Sequence, residues 1–231
     1  MPSTTSTDLK LELMATGENS GTWGTKTNTN LQIVEQAIAG FQEIDVASGD
    51  VTLTMSTHAI SNGKNITLKF TGTLAANRTV NFPSGTEKFF NILDGTDHAN
   101  NTLTFKVTGQ TGFLLCEGNN YICHSNATDI IKDHETANWR SITAAETVQS
   151  GALILADTSS SGFTITLPSS PAAGDTVQIV DKGFNFNNGN LVIARNGSNI
   201  RNASSDVTLN VAGTGANLVY TGDATTGWLD F

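Results

Sequence analysis

Basic residues are scarce in this chain of 231: 12 Lys and Arg stand against 21 Asp and Glu, a formal net charge of −9, and no Lys/Arg cluster occurs. A nucleic-acid partner needs a basic footprint that displaces counterions, so that class is excluded; anionic membrane surfaces are disfavoured on the same ground. Long apolar runs are missing too. The longest is Ala152 to Ala156, against the roughly 20 residues of a spanning helix, so no membrane span is expected. The start, Met1-Pro2-Ser3-Thr4-Thr5, has neither a basic nor an apolar stretch, and no secretory leader is expected. Charged residues reach only 14%, which argues against a coiled coil, while 38% apolar residues in short recurring runs argue against disorder.

Cysteine is limited to Cys116 and Cys123, flanking Glu117-Gly118-Asn119-Asn120, which reads as a hairpin turn. Across such a turn the thiols lie either diagonally, ~7 Å apart, or on opposite faces, and neither geometry suits an unstrained disulfide. Free thiols fit a reducing cytoplasm. A metal pair would need more ligands than His124 adds.

Thr (34), Asn (23) and Gly (22) are abundant instead. Thr, like Val, fits pleated surfaces, and Gly and Asn fit tight turns. The expectation is a mainly β chain of many short strands.

Near the N-terminus, Leu9 to Leu13 alternates as a strand would. A glycine-punctuated stretch holding Trp23 follows. Leu31, Val34, Ile38 and Phe41 then recur at helical spacing, which predicts one helix near residues 30–40, with Thr29 as N-cap, Gln32 completing a capping box and Gly40 at the end. From Val46 onward the period is two: Val51, Leu53 and Met55 alternate with Thr, and Ile66, Leu68 and Phe70 with polar residues. Clusters such as Ser61-Asn62-Gly63 and Asp94-Gly95-Thr96-Asp97 punctuate the strands as turns would. Residues 132–146 break this rhythm and read as a connector. The organisation expected is an N-terminal segment with one short helix over residues 1–45, a first β domain over 46–131, the connector, and a second β domain over 147–231. Both domains are expected to be small, antiparallel and sandwich-like.

The two β segments share landmarks in one order. Thr79-Val80-Asn81-Phe82-Pro83 matches Thr164-Ile165-Thr166-Leu167-Pro168; a strand ending in Asp94 matches one ending in Asp181; Asn100 to Leu103 matches Asn188 to Leu191. A duplication is the reading, although two copies fall short of the three or more units of a solenoid.

No phosphate loop, zinc-protease motif, paired Cys-x-x-Cys or nucleophile elbow is present. His58, His98, His124 and His134 are scattered, and Asp94 to Asn100 lacks the alternating ligands of a calcium loop. No catalytic residue, metal site or cofactor is assigned, and the chain is not read as an enzyme. Two tryptophans, Trp139 in the connector and Trp228 at the start of the last strand, are candidate platforms for stacking a glycan, against core packing as the alternative. Leu11, Leu13, Trp23, Leu31, Val34, Ile38 and Phe41 crowd a segment too short for its own core, which makes them candidate partner-binding residues.

The segment Leu11-Glu12-Leu13-Met14-Ala15-Thr16-Gly17-Glu18-Asn19, with Thr22-Trp23-Gly24, Thr27-Asn28-Thr29-Asn30 and Ile33 to Gly40, resembles the opening of tail-fibre-like structural proteins of marine tailed bacteriophages, cyanophages especially. Phe70 to Leu74 with Arg78-Thr79-Val80, and Leu155 to Thr158 with Thr164 to Pro168, resemble their β modules. The resemblance implies a non-enzymatic virion protein, assembled in the host cytoplasm as a homotrimer, bound to another virion protein through its N-terminal segment and serving assembly and host attachment as tail fibre, adaptor or spike. A carbohydrate-binding module, meeting a host surface glycan, or a polysaccharide-degrading tailspike are the alternatives.

Overall fold

The period-two alternation is present as strand, but each strand's neighbours differ from those its turns suggest. The structure, a computed structural model, describes residues 2–231; Met1, where the leader reading begins, lies outside them. The chain divides into two units. Residues 2–115 with Asn119–Thr136 form one, and Cys116–Gly118 with Ala137–Phe231 the other.

The first unit opens with an antiparallel ribbon of β1 (Thr4–Thr5) and β2 (Glu12–Leu13), followed by helix α1 (Trp23–Ala39). Strands β3 (Phe41–Asp45), β4 (Val51–Thr52), β5 (Thr67–Thr73), β6 (Arg78–Phe82), β7 (Glu87–Asp97) and β8 (Leu103–Val107) then fall alternately into two sheets. β3, β5 and β7 pair in parallel, as do β4, β6 and β8. The chain therefore winds: Phe41 pairs with Thr67 one turn later, and Thr67 with Asn91 after the next. The ladders end in antiparallel strands, β9 (Phe113–Leu115) beside β8, and β10 (Asn120–Asn126) with β11 (Ile130–Thr136) beside β7.

The second unit repeats this order strand for strand. β12 (Trp139–Ile142), β14 (Ala152–Ala156) and β16 (Thr176–Asp181) pair in parallel, as do β13 (Glu146–Thr147), β15 (Phe163–Thr166) and β17 (Leu191–Ala194). Antiparallel β18 (Val207–Leu209) closes one ladder, and β19 (Gly215–Tyr220) with β20 (Trp228–Asp230) the other.

The expectation of two antiparallel sandwich-like domains is thus overturned: the sheets form a β-solenoid of about six turns. The physical reason lies in the turns. Gly and Asn serve equally where a chain reverses within a sheet and where it arches over to the opposite one, so turn chemistry does not choose between hairpin and arch. Glu117 to Asn120 shows the difference, because β9 and β10 on either side lie in different sheets. Ser61-Asn62-Gly63 leads into a 3-10 turn (Asn62–Lys64) rather than a hairpin tip. Residues 132–146, read as lacking strand, carry the end of β11, all of β12 and the start of β13.

The matched landmarks do occupy matched places: Thr79–Phe82 lies in β6 and Thr164–Thr166 in β15, the fourth strand of each copy's alternating series. Inward-facing side chains fill the space between the sheets. In the first unit an aromatic cluster is set among aliphatic side chains, with Phe82 and Phe90 edge-to-face at 5.0 Å and Phe105 edge-to-face with both Phe70 and Phe90. In the second they are mostly aliphatic, Ile154, Ile165, Ile179, Leu191 and Ile193, closed by Tyr220 against Trp228. Each such side chain contributes roughly 1.5–3 kcal/mol relative to exposure.

Asp94 and Asp181 sit at equivalent ladder positions, Asp94 beside Phe70 and Asp181 beside Ala156, both buried. Asp94 is not at a hairpin tip, as its surroundings in sequence suggested, but within β7. Its carboxylate accepts hydrogen bonds from the Thr96 amide and hydroxyl and contacts His98 Nε2 at 2.9 Å. Asp181 accepts from the amides of Asn185, Phe186 and Gly213. Burial works against its charge, but these amide donors outweigh burial and hold its pKa below the ordinary carboxylate range. Each copy thus uses a buried carboxylate to tie down backbone, Asp94 inside β7 and Asp181 where the chain leaves β16.

Candidate interaction surface

Helix α1 begins earlier than its apolar spacing suggests. It starts at Trp23 with Thr22 at the cap, and Thr29, expected as N-cap, lies inside it with its hydroxyl on the Thr25 carbonyl. Thr and Gly are poor helix formers in residues 22–29, so tertiary contacts hold this half. Lys26 Nζ is 2.9 Å from Glu12, and Asn30 exchanges two hydrogen bonds with the Glu12 backbone. The Lys26 hydrogen bond is the main reason the Glu12 carboxyl is held below its usual pKa. At the other end the Gln36 carbonyl accepts from Gly40 and Ile66, and a Cβ at Gly40 would collide with that carbonyl and with Asn65.

The side chains α1 turns inward are Lys26, Asn30, Ile33 and Ala37; Ile33 is its one fully buried residue. At about 100° per residue, Trp23, Val34, Ile38 and Leu31 fall within an arc of about 80° on the shoulder of that docking face. Trp23 is 65% exposed, Leu31 61% and Ile38 73%, while Val34 is half-buried. The stripe continues past Gly40 into Phe41, 55% exposed at the start of β3. Of the remaining candidates, Leu13 is half exposed on β2 and Leu11 is partly buried.

The tryptophan candidates separate. Trp228 is fully buried in the second core, which removes it as a glycan platform. Trp139 is 46% exposed on the outward face of β12, in a row running Trp139, Leu153, Gln178, Asn217, Phe231 across its sheet. The first unit has the matching row Phe41, Thr67, Asn91, Ile122, His134. Register counted from the buried Asp94 and Asp181 puts Phe41 and Trp139 at the same position of the two copies.

Periodicity missed two further features. Phe89, exposed on β7, lies 5.5 Å from the His124 ring beside a depression of about 440 Å³ lined also by Asp8, Glu87 and Asn126; only the outward parity of Phe89 in its strand signals it. Arg140 on β12 is clamped between Glu146 and Glu117, invisible before the fold brought them together. The two thiols are buried, Cys116 in the second unit's core and Cys123 in the first's, and burial pushes Cys123 up to about 12. Among the described residues no group of three or more His, Cys, Asp or Glu is placed to hold a metal ion, and no helix is long and apolar enough to cross a membrane.

No protein-family model matches this chain, and no curated protein does. A solved chain described as "Structure of a chaperone-substrate complex" is similar over 82% of this chain at 13% identity, with a TM-score of 0.34. This chain spans 31% of that one's length. A likeness at this level carries no argument about fold or function.

Proposed function

We propose that the protein is a non-enzymatic structural component of a bacteriophage virion, a tail-fibre-like appendage, adaptor or spike. In this reading it assembles in the host cytoplasm as a homotrimer and joins another virion protein through its N-terminal segment. The observation that supports the reading best is the apolar surface left uncovered there: Leu13, Trp23, Leu31, Ile38 and Phe41 are each half or more exposed. Apolar groups this concentrated mark a protein contact rather than a solvated face. The N-terminal residue pattern that resembles phage appendage proteins points the same way.

The test is incorporation. The full chain is expected in purified particles, and a chain lacking residues 1–39 is expected to be missing from them. Absence of the full chain from particles refutes the virion role, and full occupancy by the truncated chain refutes the attachment.

One observation favours a second reading, carbohydrate binding: an exposed aromatic, Phe89, beside the His124 ring and a depression of about 440 Å³. Binding on a glycan array that Phe89→Ala abolishes would establish it; an array without signal rejects it.

A further inference from the structure

We infer that Asn196 is a self-modification site: its side chain condenses with the Gly197 amide and deamidates without an enzyme, which releases the turn after β17 from Leu167. The site stands independently of the appendage role.

The dipeptide Asn-Gly occurs at Asn62-Gly63, Asn188-Gly189 and Asn196-Gly197. A glycine after asparagine has no Cβ to shield its amide nitrogen, so the dipeptide alone does not rank the three. The fold does. Deamidation needs a glycine amide that is open to water and free of an acceptor, and a carboxamide that can swing onto it.

At Asn62 both freedoms are lost. Gly63 is buried and its amide donates to the Thr54 carbonyl at 3.1 Å, while Asn62 Oδ1 accepts from the Thr54 amide at 2.7 Å and the Thr54 hydroxyl at 3.0 Å. Asn188 is held in the same manner. Gly189 is buried and its amide donates to the Asn185 carbonyl at 2.9 Å, and Asn188 Nδ2 donates to Asn185 Oδ1 at 3.0 Å.

Asn196-Gly197 differs. The Ser198 amide donates to the Arg195 carbonyl at 3.3 Å, and Arg195 Nη1 to the Gly197 carbonyl at 3.2 Å, which closes the turn. These bonds leave the Gly197 amide exposed and without an acceptor among the described residues. No heavy atom lies within 4 Å of the position a Cβ would take on Gly197. A single bond restrains the carboxamide, from Asn196 Nδ2 to the Leu167 carbonyl at 2.8 Å.

The reaction balances with water alone. Hydroxide takes the Gly197 amide proton, and the nitrogen attacks Asn196 Cγ. The Cγ–Nδ2 bond breaks, and ammonia leaves with a proton returned from water, closing a cyclic imide. Water then opens the imide. Cleavage between Cγ and the Gly197 nitrogen gives aspartate; cleavage between the Asn196 carbonyl carbon and that nitrogen gives isoaspartate. Either product has a carboxylate where Nδ2 donated, so the Leu167 carbonyl loses its donor. Leu167 is buried and directly follows β15, which places the damage at the core of the second unit.

The experiment incubates the full chain in mildly alkaline buffer at physiological temperature, digests it, and follows the three Asn-Gly peptides by mass spectrometry with isoaspartate detection. The Asn196 peptide should convert at least about fivefold faster than the other two, the factor for one further hydrogen bond to break. In urea, where no fold distinguishes the motifs, the three rates should converge. Equal rates in the folded chain, or faster conversion at Asn62 or Asn188, overturn the assignment. A preference for Asn196 that persists in urea also overturns it, because the sequence around the motif would then be the selector. Asn196→Asp carries the product's charge and should lower the urea midpoint of the second unit; an unchanged midpoint refutes the release from Leu167.

Discussion

Replacing Arg140 by Met should destabilise the second unit by about 2–3 kcal/mol. The guanidinium makes a bidentate contact with Glu146, with Nη1 at 2.8 Å from Oε2, and lies 3.4 Å from Glu117. Exposures are 16% for Arg140, 21% for Glu117 and 18% for Glu146. Burial opposes the charge on Arg140, and the hydrogen bonds and charge of Glu146 outweigh it, so its pKa stands above the ordinary value. Exposed pairs contribute about 0–1 kcal/mol; stripping one partner from a fully buried pair costs 3–5 kcal/mol. Groups about one-fifth exposed fall between, and Met leaves two carboxylates facing each other without a cation. The assay is urea unfolding in a Trp23→Phe, Trp139→Phe background, so that emission comes from Trp228 in the second core. The midpoint should fall with the slope unchanged. A loss under about 0.5 kcal/mol would refute the reasoning and class the clamp with solvent-screened surface pairs.

Stability should rise between pH 8 and pH 10. Burial pushes Lys88 and Lys64 down to about 8, below the ~10.4 of an unfolded chain. In that window the unfolded state holds lysine protons the folded state lacks, which adds up to about 1.4 kcal/mol per pH unit for each lysine, while the Cys123 thiol, held protonated to about 12 in the fold, opposes one of them above its unfolded ~8.5, leaving a net rise; urea midpoints at pH 7.5 and 9.5 read it, and Lys88→Met should flatten the slope. Asp181→Asn should cost about 1.5–3 kcal/mol near neutrality, the range for hydrogen bonds to a charged group. Because the folded carboxyl titrates below its unfolded value, its contribution is present above pH ~4 and is lost as pH falls through the folded pKa, so variant and parent should converge in acid.

How far the fold was legible depends on the range of the signal. Alternation within β5, β7 and β8 is local, and it shows in Leu68 and Phe70 or Leu103, Phe105 and Val107, all buried. The duplication was legible because Asp94 and Asp181 are fixed by a structural need that both copies share. Ladder direction was not. It depends on which strand lies one turn away, and that distance is irregular: Phe41 to Thr67 and Thr67 to Asn91 are near-equal steps, but Trp139 to Leu153 is far shorter because no counterpart of the Asn62–Lys64 turn intervenes. No fixed period therefore marks the winding. The same limit applies to the site. Spacing identified Leu31, Val34 and Ile38 as one face of a helix, but it cannot say what covers that face; Ile33, outside the stripe, makes the intramolecular contact instead. Trp139 and Trp228 look alike in sequence, and only strand parity within the folded sheets sends one outward and the other into the core.

The proposed appendage role requires this chain to associate with itself. Equilibrium sedimentation of the intact protein at micromolar concentration tests that most directly. Three chains of 24.3 kDa moving as one particle is the predicted result. A parent protein that sediments at 24.3 kDa would contradict it.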